Sequence, residues 1–410
     1  MTVEISLVER STTQIGIDEF RRLDSIPEFW ELLEAGVITA ERRGRNGVSL
    51  RAGAYVGTAN VGGCRIAVRE KVAGSLAALV SSASGTAALA VRTPTFVSGD
   101  NAILAAIAES FITEVEAYLR RGRRRAYYPR AAVGASPRGK ILVGSTMRVW
   151  AAGRRDRCAF TLYELSPEKF LNSLLGAAVT VVGCMVNEWP QFESLRRRVR
   201  TAALLFEDTD WHRVMNLPAP VFDLEYSHAS PQLGSCGGLA GLARLFVRHF
   251  GVGDGRSEDA VPWSWFVKLE LLFEEAVRQA MIRAAARRGL RATDWRPALR
   301  YVISGGRRWR AEPDVVIWDG ATPLAIADAK YKDMQSAPDH GDVYQLLCHA
   351  SAWNVEAAAI VYASTGTSFR EIGKSSSGVG VRIAAMDVLR LDDACDSLVG
   401  LCAAATAQTG

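Results

Sequence analysis

The amino-acid sequence predicts an α/β protein of the α+β multidomain kind, whose C-terminal part contains a mixed sheet flanked by helices. The first observation is the order of hydrophobic patterns after residue 262, which runs helix, three strands, helix and strand. The second is a Gly-rich succession of short alternating apolar runs in residues 1–100, which indicates a small β-rich module. The third is a helical spacing of apolar residues in several segments between these two regions.

Two regions are expected, an N-terminal one comprising residues 1–254 and a C-terminal one comprising residues 255–410. The N-terminal region divides into the β-rich part, residues 1–100, and a mixed helical part, residues 101–254. The boundary is placed near residue 255 because the surrounding segment GVGDGRSED has the Gly-rich, polar composition of a linker. Within the mixed part, apolar periodicity predicts three helices, over residues 102–121, 167–182 and 193–205.

The composition is that of a folded globular protein, with 49% hydrophobic and 23% charged residues. The longest apolar run, residues 174–186, is too short to span a bilayer. Residues 1–11 carry acidic side chains in place of the apolar core of a signal peptide. The seven cysteines form no close pair, so neither a zinc site nor a disulfide framework is indicated. We therefore expect a cytoplasmic protein that does not bind a membrane.

The C-terminal region supplies the elements of the predicted sheet. Apolar residues recur with helical spacing in residues 263–289, starting at Phe266 and ending before a Gly. The segment LRYVIS, residues 299–304, is a short strand candidate. Two further strands follow, then a helical pattern over residues 342–353 and the apolar run AAAIVYA, residues 357–363, which is typical of a buried strand. This order predicts a mixed sheet with helices packed on it.

The two further strands carry the motif EPDVVIWDGATPLAIADAKYK, residues 312–332. Asp314 belongs to the first apolar, β-branched run, and Asp328 and Lys330 belong to the second. Because side chains alternate along a strand, Asp328 and Lys330 are predicted to point to the same side. The turn-like segment WDGATP, residues 318–323, predicts a hairpin that would bring Asp314 to face them.

Two carboxylates and an ammonium group at one point suit metal-assisted hydrolysis of a phosphodiester. Carboxylate oxygens suit Mg²⁺, which takes few protein ligands and keeps several waters. A lysine beside the metal can orient or help deprotonate the attacking water and can counter charge on a phosphate. The alternative is an ordinary surface salt bridge between the members of a D-x-K triplet. The preceding run PLAIA is apolar enough for an interior strand, where a charged pair requires a reason, and this favours the catalytic interpretation.

The order helix-β-β-β-helix-β with PD…DxK resembles the core of the PD-(D/E)xK nucleases. The form PDVVIWDG…LAIADAKYK…DVYQLLCHA is similar to that of the McrC family, the nuclease subunits of McrBC-type modification-dependent restriction systems. Weaker similarity extends upstream to LLFEEAV, GAYVGTANVGGCRIAVREKVA and YELSPEKFLNSLLGAAV. The resemblance implies a Mg²⁺-dependent DNA endonuclease subunit of an anti-phage system, acting on DNA that carries modified bases. It also implies that residues 1–254 bind and stimulate a hexameric McrB-like AAA+ GTPase.

The same resemblance implies roles for the residues of the motif. Asp314 and Asp328 would be metal ligands, and Lys330 would be the catalytic lysine. In the RecB-like relatives a helical Glu completes the site, and Glu274 in LLFEEAV matches it. Glu270 and Glu275 compete with Glu274 for that role, since Glu270 lies one helical turn away on the same face.

One helix beyond the motif strands also matches the family pattern in part. Gln345 corresponds to the Gln of the Q-x-x-x-Y motif, which contacts the DNA backbone near the cut. The chain departs from that motif at His349, where a Tyr is expected. A histidine there can donate to a phosphate or pack on its helix, and it is not counted among the catalytic residues.

Positive charge is concentrated in residues 119–157, which contain twelve Lys or Arg and one acidic residue, Asp156. Tyr127 and Tyr128 lie among the arginines. Such a segment can neutralise DNA phosphates while its rings stack on bases, or it can bind an acidic protein partner. The sequence leaves both interpretations open. The DNA-binding candidates are Arg123, Arg124 and Arg125.

Other chemistries have little support in the sequence. The segment GASPRGKI, residues 134–141, imitates a phosphate-binding loop but has Ile141 in place of the Ser or Thr that would bind Mg²⁺. The following segment, residues 141–150, is predicted to be a strand, whereas a phosphate-binding loop opens a helix. Neither G-x-S-x-G nor H-E-x-x-H occurs. Two alternatives to a partner-dependent nuclease stay open, a non-cleaving adaptor that activates a partner GTPase and a stand-alone RecB-like nuclease.

Overall fold

The computed structural model describes most of the chain and shows a mixed α/β protein with several sheets. The predicted boundary near residue 255 lies outside the described residues. The α/β class is confirmed, since helices and strands of similar number alternate through the described part. The described residues are 3–43, 47–84, 102–167, 169–187, 192–229, 236–249, 264–303, 309–332 and 338–407.

The first part of the chain forms two small sheets and two short helices around one apolar cluster that includes Phe29, Leu50 and Ile66. Strands β2, β4 and β3, in this order, form an antiparallel sheet, and β1, β6 and β5 form most of a second sheet in which β1 and β6 are parallel. The elements are β1 (Val3–Val8), β2 (Thr12–Gly16), α1 (Ile17–Asp24), α2 (Pro27–Glu34), β3 (Ile38–Arg43), β4 (Gly47–Ala52), β5 (Tyr55–Val61) and β6 (Cys64–Arg69).

The next elements are two helices and an exposed module, which we define as residues 125–167. In this module β7 and β8 flank β9, and α5 packs on β9. Large apolar side chains, among them Tyr127, Val143 and Tyr163, are exposed on it. The elements are α3 (Ser75–Ser84), α4 (Ala102–Arg120), β7 (Arg125–Gly134), β8 (Lys140–Ile141), α5 (Val143–Ala151) and β9 (Cys158–Pro167).

The strand predicted over residues 141–150 is wrong, because most of this segment forms α5. The Thr146 hydroxyl both donates to the Ala159 carbonyl and accepts from the Ala159 amide, which fixes the helix on β9. This long-range contact outweighs the β-branched character of the segment. The rejection of a phosphate-binding loop stands, since Lys140 lies in a strand paired with Thr161 and does not begin a helix.

A helical layer follows, with α6 at its centre. By length and composition α6 is the one helix in the described part that could cross a membrane, but 72% of its apolar window is buried inside the protein. It packs against α7, α8 and α10, so it is a core helix, as expected for the apolar run at residues 174–186. The elements are α6 (Lys169–Asn187), α7 (Glu193–Leu204), α8 (Trp211–Met215), α9 (Ala219–Ala229) and α10 (Gly237–His249).

The C-terminal part contains a six-stranded sheet with strand order β11-β14-β15-β16-β18-β17, in which β15, β16 and β18 are parallel. Helices α11 and α13 pack on one face, and α12 packs on the other. The elements are β10 (Ser264–Lys268), α11 (Leu269–Arg287), β11 (Arg291–Thr293), β12 (Tyr301–Ile303), β13 (Trp309–Arg310), β14 (Val315–Asp319), β15 (Thr322–Lys330), α12 (His340–Trp353), β16 (Ala357–Ser364), β17 (Ser368–Lys374), β18 (Gly380–Asp387) and α13 (Leu391–Ala407), with a 3₁₀ turn at Val388–Arg390.

The helix predicted from residue 263 begins later than expected. Residues Ser264–Lys268 form β10, which pairs with β5 and completes the N-terminal sheet. Phe266 and Val267 point to opposite faces of this strand and are both buried, in two different apolar clusters. Two-sided burial requires the alternation of a strand, so the helix starts only at Leu269.

The strand predicted over residues 299–304 also differs. Tyr301–Ile303 is a strand, but it pairs with β13 in a separate two-stranded sheet, and Val302 and Ile303 are exposed. The third strand beside the motif hairpin is instead Arg291–Thr293, which pairs with β14. This segment is short and polar because it lies at the edge of the sheet, and so it lacks the apolar pattern that identifies a strand.

The N-terminal and C-terminal elements share one hydrophobic core. The largest apolar cluster contains buried residues of α3, α4, α6 and α10 together with residues of α11, α13 and one face of the six-stranded sheet. Helix α11 packs on α3 along its length and continues directly from β10. The elements that carry the motif are therefore fixed to the N-terminal region by both a sheet and a core.

Candidate functional site

The predicted hairpin is confirmed. Strands β14 and β15 pair antiparallel from Val315 opposite Ala327 to Asp319 opposite Thr322. The chain reverses through a two-residue connection that contains Gly320 with a φ of 54°, a value that glycine adopts without steric cost. Asp314 lies one residue before β14 and not inside the strand as predicted.

Asp328 and Lys330 point to the same side of β15, as predicted, on the face that packs against α12. The Lys330 Nζ atom lies 2.6 Å from Asp328 Oδ2. Asp328 is only 2% exposed, and its Oδ2 atom has no hydrogen bond of acceptable geometry among the described residues, so the contact with Lys330 is an ion pair. A buried carboxylate oxygen without a donor is costly unless a cation compensates it.

Lys330 remains protonated in this environment. Burial by itself would lower the pKa of Lys330, but the Asp328 carboxylate outweighs it and raises the pKa above its usual value. The ammonium also donates to Gln345 Oε1 at 3.3 Å. In this arrangement Lys330 is suited to holding a water molecule or neutralising a phosphate, and not to removing a proton.

Asp314 lies against the same point of the hairpin. Its Oδ2 atom accepts a hydrogen bond of 2.8 Å from the amide of Ala329, the residue between Asp328 and Lys330. Burial and then the negative charges of Asp328 and Glu274 raise the pKa of Asp314 to about 7. The carboxylates of Asp314, Asp328 and Glu274 thus repel one another in a largely buried site.

Glu274 is the α11 carboxylate whose pKa is affected by the charges of Asp328 and Lys330. Burial raises the pKa of Glu274, and the charges of Lys330 and Asp328 act on it in opposite directions. Glu270 pairs with Arg10 at 3.0 Å. Glu275 is buried elsewhere and forms ion pairs of 2.6 Å with the arginines at positions 244 and 278.

The donor set suits a small divalent cation. In the described part of the chain, no group of three or more His, Cys, Asp or Glu side chains is arranged to hold a metal ion. Asp314 and Asp328 nevertheless offer two carboxylates, which is sufficient for a cation that keeps most of its own waters. Asp328 Oδ2 accepts no hydrogen bond among the described residues, and the pKa of Asp314 is raised; a divalent cation would relieve both.

Helix α12 borders the site. Gln345 is exposed and contacts Lys330, and its contact with the DNA backbone stays a prediction. His349, one turn further, is 7% exposed, and its Nδ1 atom has no hydrogen-bond partner among the described residues. Burial lowers the pKa of His349 in spite of the nearby Asp328.

Of the three predicted DNA-binding arginines, Arg125 begins β7, and Arg123 and Arg124 lie in the connection between α4 and β7 and not on the elements of the hairpin. The Arg123 guanidinium is engaged by the two carboxylate oxygens of Asp208, at 2.5 and 2.6 Å. Arg124 is half-buried and Arg125 is exposed. Their contact with DNA stays a prediction, and Arg125 is the member most accessible to a ligand.

One contributor to the site was missed in the sequence. Arg278 donates through Nε to the carbonyl oxygen of Asp314 at 3.1 Å and pairs with Glu275 through Nη1. It lies one helical turn after Glu274, so the helical period alone could have identified it. Arg278 thus holds the backbone of Asp314 from α11.

Comparisons with known proteins agree with the resemblance. A search among curated proteins finds no match. Two solved Thermococcus gammatolerans assemblies are similar to this chain, and both TM-scores are low. A half-complex of McrB AAA+ hexamers with bound McrC has 16% identity, a TM-score of 0.48, and coverage of 97% of this chain and 99% of that chain. A McrBC complex has 15% identity, a TM-score of 0.38, and coverage of 69% of this chain and 88% of that chain.

The family model described as McrBC 5-methylcytosine restriction system component matches residues 50–363. Since that match spans more than half of the sequence, the chain belongs to the McrBC 5-methylcytosine restriction system component family.

Proposed function

We propose that this chain is the Mg²⁺-dependent endonuclease subunit of a McrBC-type restriction system and that its six-stranded sheet is a PD-(D/E)xK nuclease core. The observation that carries the proposal is the convergence of Asp314, Asp328 and Lys330 at the end of one buried hairpin. A structural salt bridge would need neither the second carboxylate nor a buried oxygen without a donor. The helix-bound Glu274 and Gln345 border the same point.

In the proposed mechanism Asp314 and Asp328 would hold Mg²⁺, and the chemistry that the bound ion would supply is a water of lowered pKa and polarisation of the scissile phosphate. Lys330, kept protonated by Asp328, orients the attacking water and offsets charge that develops on the phosphate. Gln345 accepts from Lys330 through its carbonyl oxygen, so its amide nitrogen is the group that can donate to the DNA backbone. The water oxygen bonds to phosphorus as the bond to the leaving deoxyribose oxygen breaks, and the proton that the water loses passes to solvent while the leaving oxygen takes one from solvent.

The partner proposed for this chain is a McrB-like AAA+ subunit that hydrolyses GTP. The support is membership of the McrBC 5-methylcytosine restriction system component family. Residues 1–254 are the proposed docking region, since the candidate active site is confined to the C-terminal elements. The exposed module, with its basic and apolar side chains, is available to either protein or DNA. A cytoplasmic location is part of the same proposal.

The test is plasmid cleavage by this chain with its AAA+ partner, GTP and Mg²⁺, on methylated and unmethylated DNA. We expect cleavage of methylated DNA only when all components are present, and its loss with EDTA. Cleavage without the partner would favour the stand-alone nuclease. GTP hydrolysis stimulated by this chain, with no strand scission on either substrate, would favour the non-cleaving adaptor.

Replacing Glu274 by Gln is expected to slow cleavage on the order of 10–100-fold and to raise the Mg²⁺ concentration needed for half-maximal rate. The reason is that a carboxylate which tunes the charge at Asp314 and Asp328 becomes neutral. The measurement is a Mg²⁺ titration of the cleavage rate. The control is Glu356→Gln, an exposed position on the loop before β16, which should behave as wild type. Unchanged Mg²⁺ dependence in Glu274→Gln would exclude Glu274 from the site.

A further inference from the structure

A turn of the N-terminal region touches the end of the strand that carries the motif. Glu9 and Arg10 lie between β1 and β2. Glu9 Oε1 accepts a hydrogen bond of 2.9 Å from the Tyr331 hydroxyl and one of 3.0 Å from the Lys71 amide. The Arg10 guanidinium donates to the Tyr331 carbonyl oxygen and, at 3.0 Å, to Glu270 Oε1. We call these four side chains, Glu9, Arg10, Glu270 and Tyr331, the clasp.

The clasp holds both elements that carry candidate catalytic groups. Tyr331 directly follows Lys330 on β15, and Glu270 precedes Glu274 by one helical turn on α11. The Tyr331 ring also packs on Phe273 of α11, with ring centroids 5.6 Å apart. One side chain, Arg10, thus connects the end of the strand to the first turn of the helix.

Two features of the clasp are energetically unfavourable by themselves, a buried carboxyl group and a strained backbone conformation. Glu9 is 3% exposed, and burial raises its pKa in spite of its hydrogen bonds. Arg10 has a φ of 57°, in the left-handed region that is unfavourable for a residue with a Cβ. Burial and Glu9 raise the pKa of Tyr331, so its hydroxyl keeps the proton it donates. The positive φ of Arg10 persists only where surrounding contacts hold it. Those contacts are the clasp and the hydrogen bond of 3.1 Å that the Arg10 amide donates to the Gly53 carbonyl oxygen.

We propose that Glu9 and Arg10 are positioning residues for the nuclease site, which set the place of Lys330 relative to Glu274. This inference rests on the proposed function. Neither residue touches the reacting atoms, and both act through Tyr331 and Glu270. The clasp gives the region proposed to dock the AAA+ partner a direct polar connection to the site, in addition to the shared apolar core.

Two substitutions separate positioning from folding. Arg10→Asn removes the guanidinium but keeps a residue that tolerates a positive φ. Tyr331→Phe keeps the ring against Phe273 and removes only the hydroxyl. The matched control is Arg21→Asn, which removes an exposed arginine paired with Asp18 on α1 of the same region.

The experiment uses the full chain with its AAA+ partner, GTP, Mg²⁺ and methylated DNA. For Arg10→Asn we expect the maximal cleavage rate to fall on the order of 10²-fold, because a small misplacement of the reacting groups has an effect of this size. The DNA concentration for half-saturation and the melting temperature should change little. Tyr331→Phe should show a smaller loss, Arg10→Lys a partial recovery, and Arg21→Asn the wild-type rate. A wild-type rate for Arg10→Asn, or a loss confined to DNA affinity, would overturn the proposal.

Amide hydrogen exchange of residues 325–332, measured without DNA or metal, tests the clasp independently of activity. Exchange should be faster in Arg10→Asn and Tyr331→Phe than in wild type and Arg21→Asn. Unchanged exchange would overturn the positioning role even if cleavage fell. If the wild-type assembly fails to cleave DNA, the nuclease proposal fails, and the exchange result still decides whether Glu9 and Arg10 hold this strand.

Discussion

Asp328→Asn is expected to abolish DNA cleavage while leaving the chain folded and able to bind its partner. The amide keeps the shape of the side chain but removes one of the two charges proposed to hold Mg²⁺. A metal ion contributes several kcal/mol of transition-state stabilisation, so the loss should be on the order of 10²–10³-fold or greater. The measurement is single-turnover cleavage of methylated plasmid by the assembled complex.

The structure provides a matched control for this substitution on the same hairpin. Asp319 is exposed and lies at the turn end of the hairpin. It pairs with Thr322 at the start of β15, whereas Asp328 lies near the other end of that strand. Asp319→Asn should therefore cleave at the wild-type rate. Cleavage by Asp328→Asn within a few-fold of Asp319→Asn would remove the basis for a metal-dependent site and favour the adaptor.

Glu275→Gln is expected to lower the free energy of unfolding by about 3–5 kcal/mol, the usual cost of removing one partner of a buried ion pair. Glu275 is 3% exposed and accepts from Arg244, Arg278 and Gln279 at 2.6, 2.6 and 2.9 Å. An amide at this position would present hydrogen atoms to the guanidinium groups and remove a buried negative charge that both of them pair with. Urea denaturation followed by circular dichroism measures the change.

The stability that Glu275 contributes should depend on pH in a defined direction. Burial by itself would raise the pKa of Glu275, but Arg244 and Arg278 outweigh it and lower the pKa from 4.5 to about 2. A group whose pKa is lower in the folded state contributes stability that is present above its unfolded value and is lost as pH falls. The difference between wild type and Glu275→Gln should therefore be constant above pH 4.5 and shrink between pH 4.5 and pH 2.

An exposed pair supplies the control for Glu275. Glu225 on α9 pairs with Arg213, whose side chain is 50% exposed. Water screens such a pair, so Glu225→Gln should change stability by less than about 1 kcal/mol. Equal effects of the two substitutions would show that burial of the Glu275 network contributes nothing to the free energy of unfolding.

Because Arg278 also holds the Asp314 carbonyl, Glu275→Gln should further slow cleavage at temperatures where the chain stays folded.

The parts of the candidate site that were predicted correctly are local in sequence. Asp328 and Lys330 share a face because side chains alternate along any strand, and the β14–β15 turn follows from its Gly and short loop. These features depend on residues a few positions apart. Helix α12 and strand β16 were predicted for the same reason, since each carries its own apolar period.

The errors concern segments whose structure is decided by a distant partner. β10 is a strand because β5 pairs with it, and α5 is a helix because Thr146 is fixed on Ala159. The edge strand Arg291–Thr293 carries no apolar signal of its own. Local propensity is a weak determinant of such segments, and tertiary pairing overrides it.

The sequence by itself determined the family, the hairpin and the three charged residues at its end, because spacing along one strand dictates which side chains converge. Only the tertiary structure decided the surroundings of the three helical carboxylates, since Glu270 pairs with Arg10, Glu275 pairs with Arg244, and Glu274 is affected by the charges of Asp328 and Lys330. It also decided that a turn at residues 9–10 contacts Tyr331, more than 300 positions away. Contacts of that separation leave no periodic trace in a single sequence, because folding alone brings the two segments together.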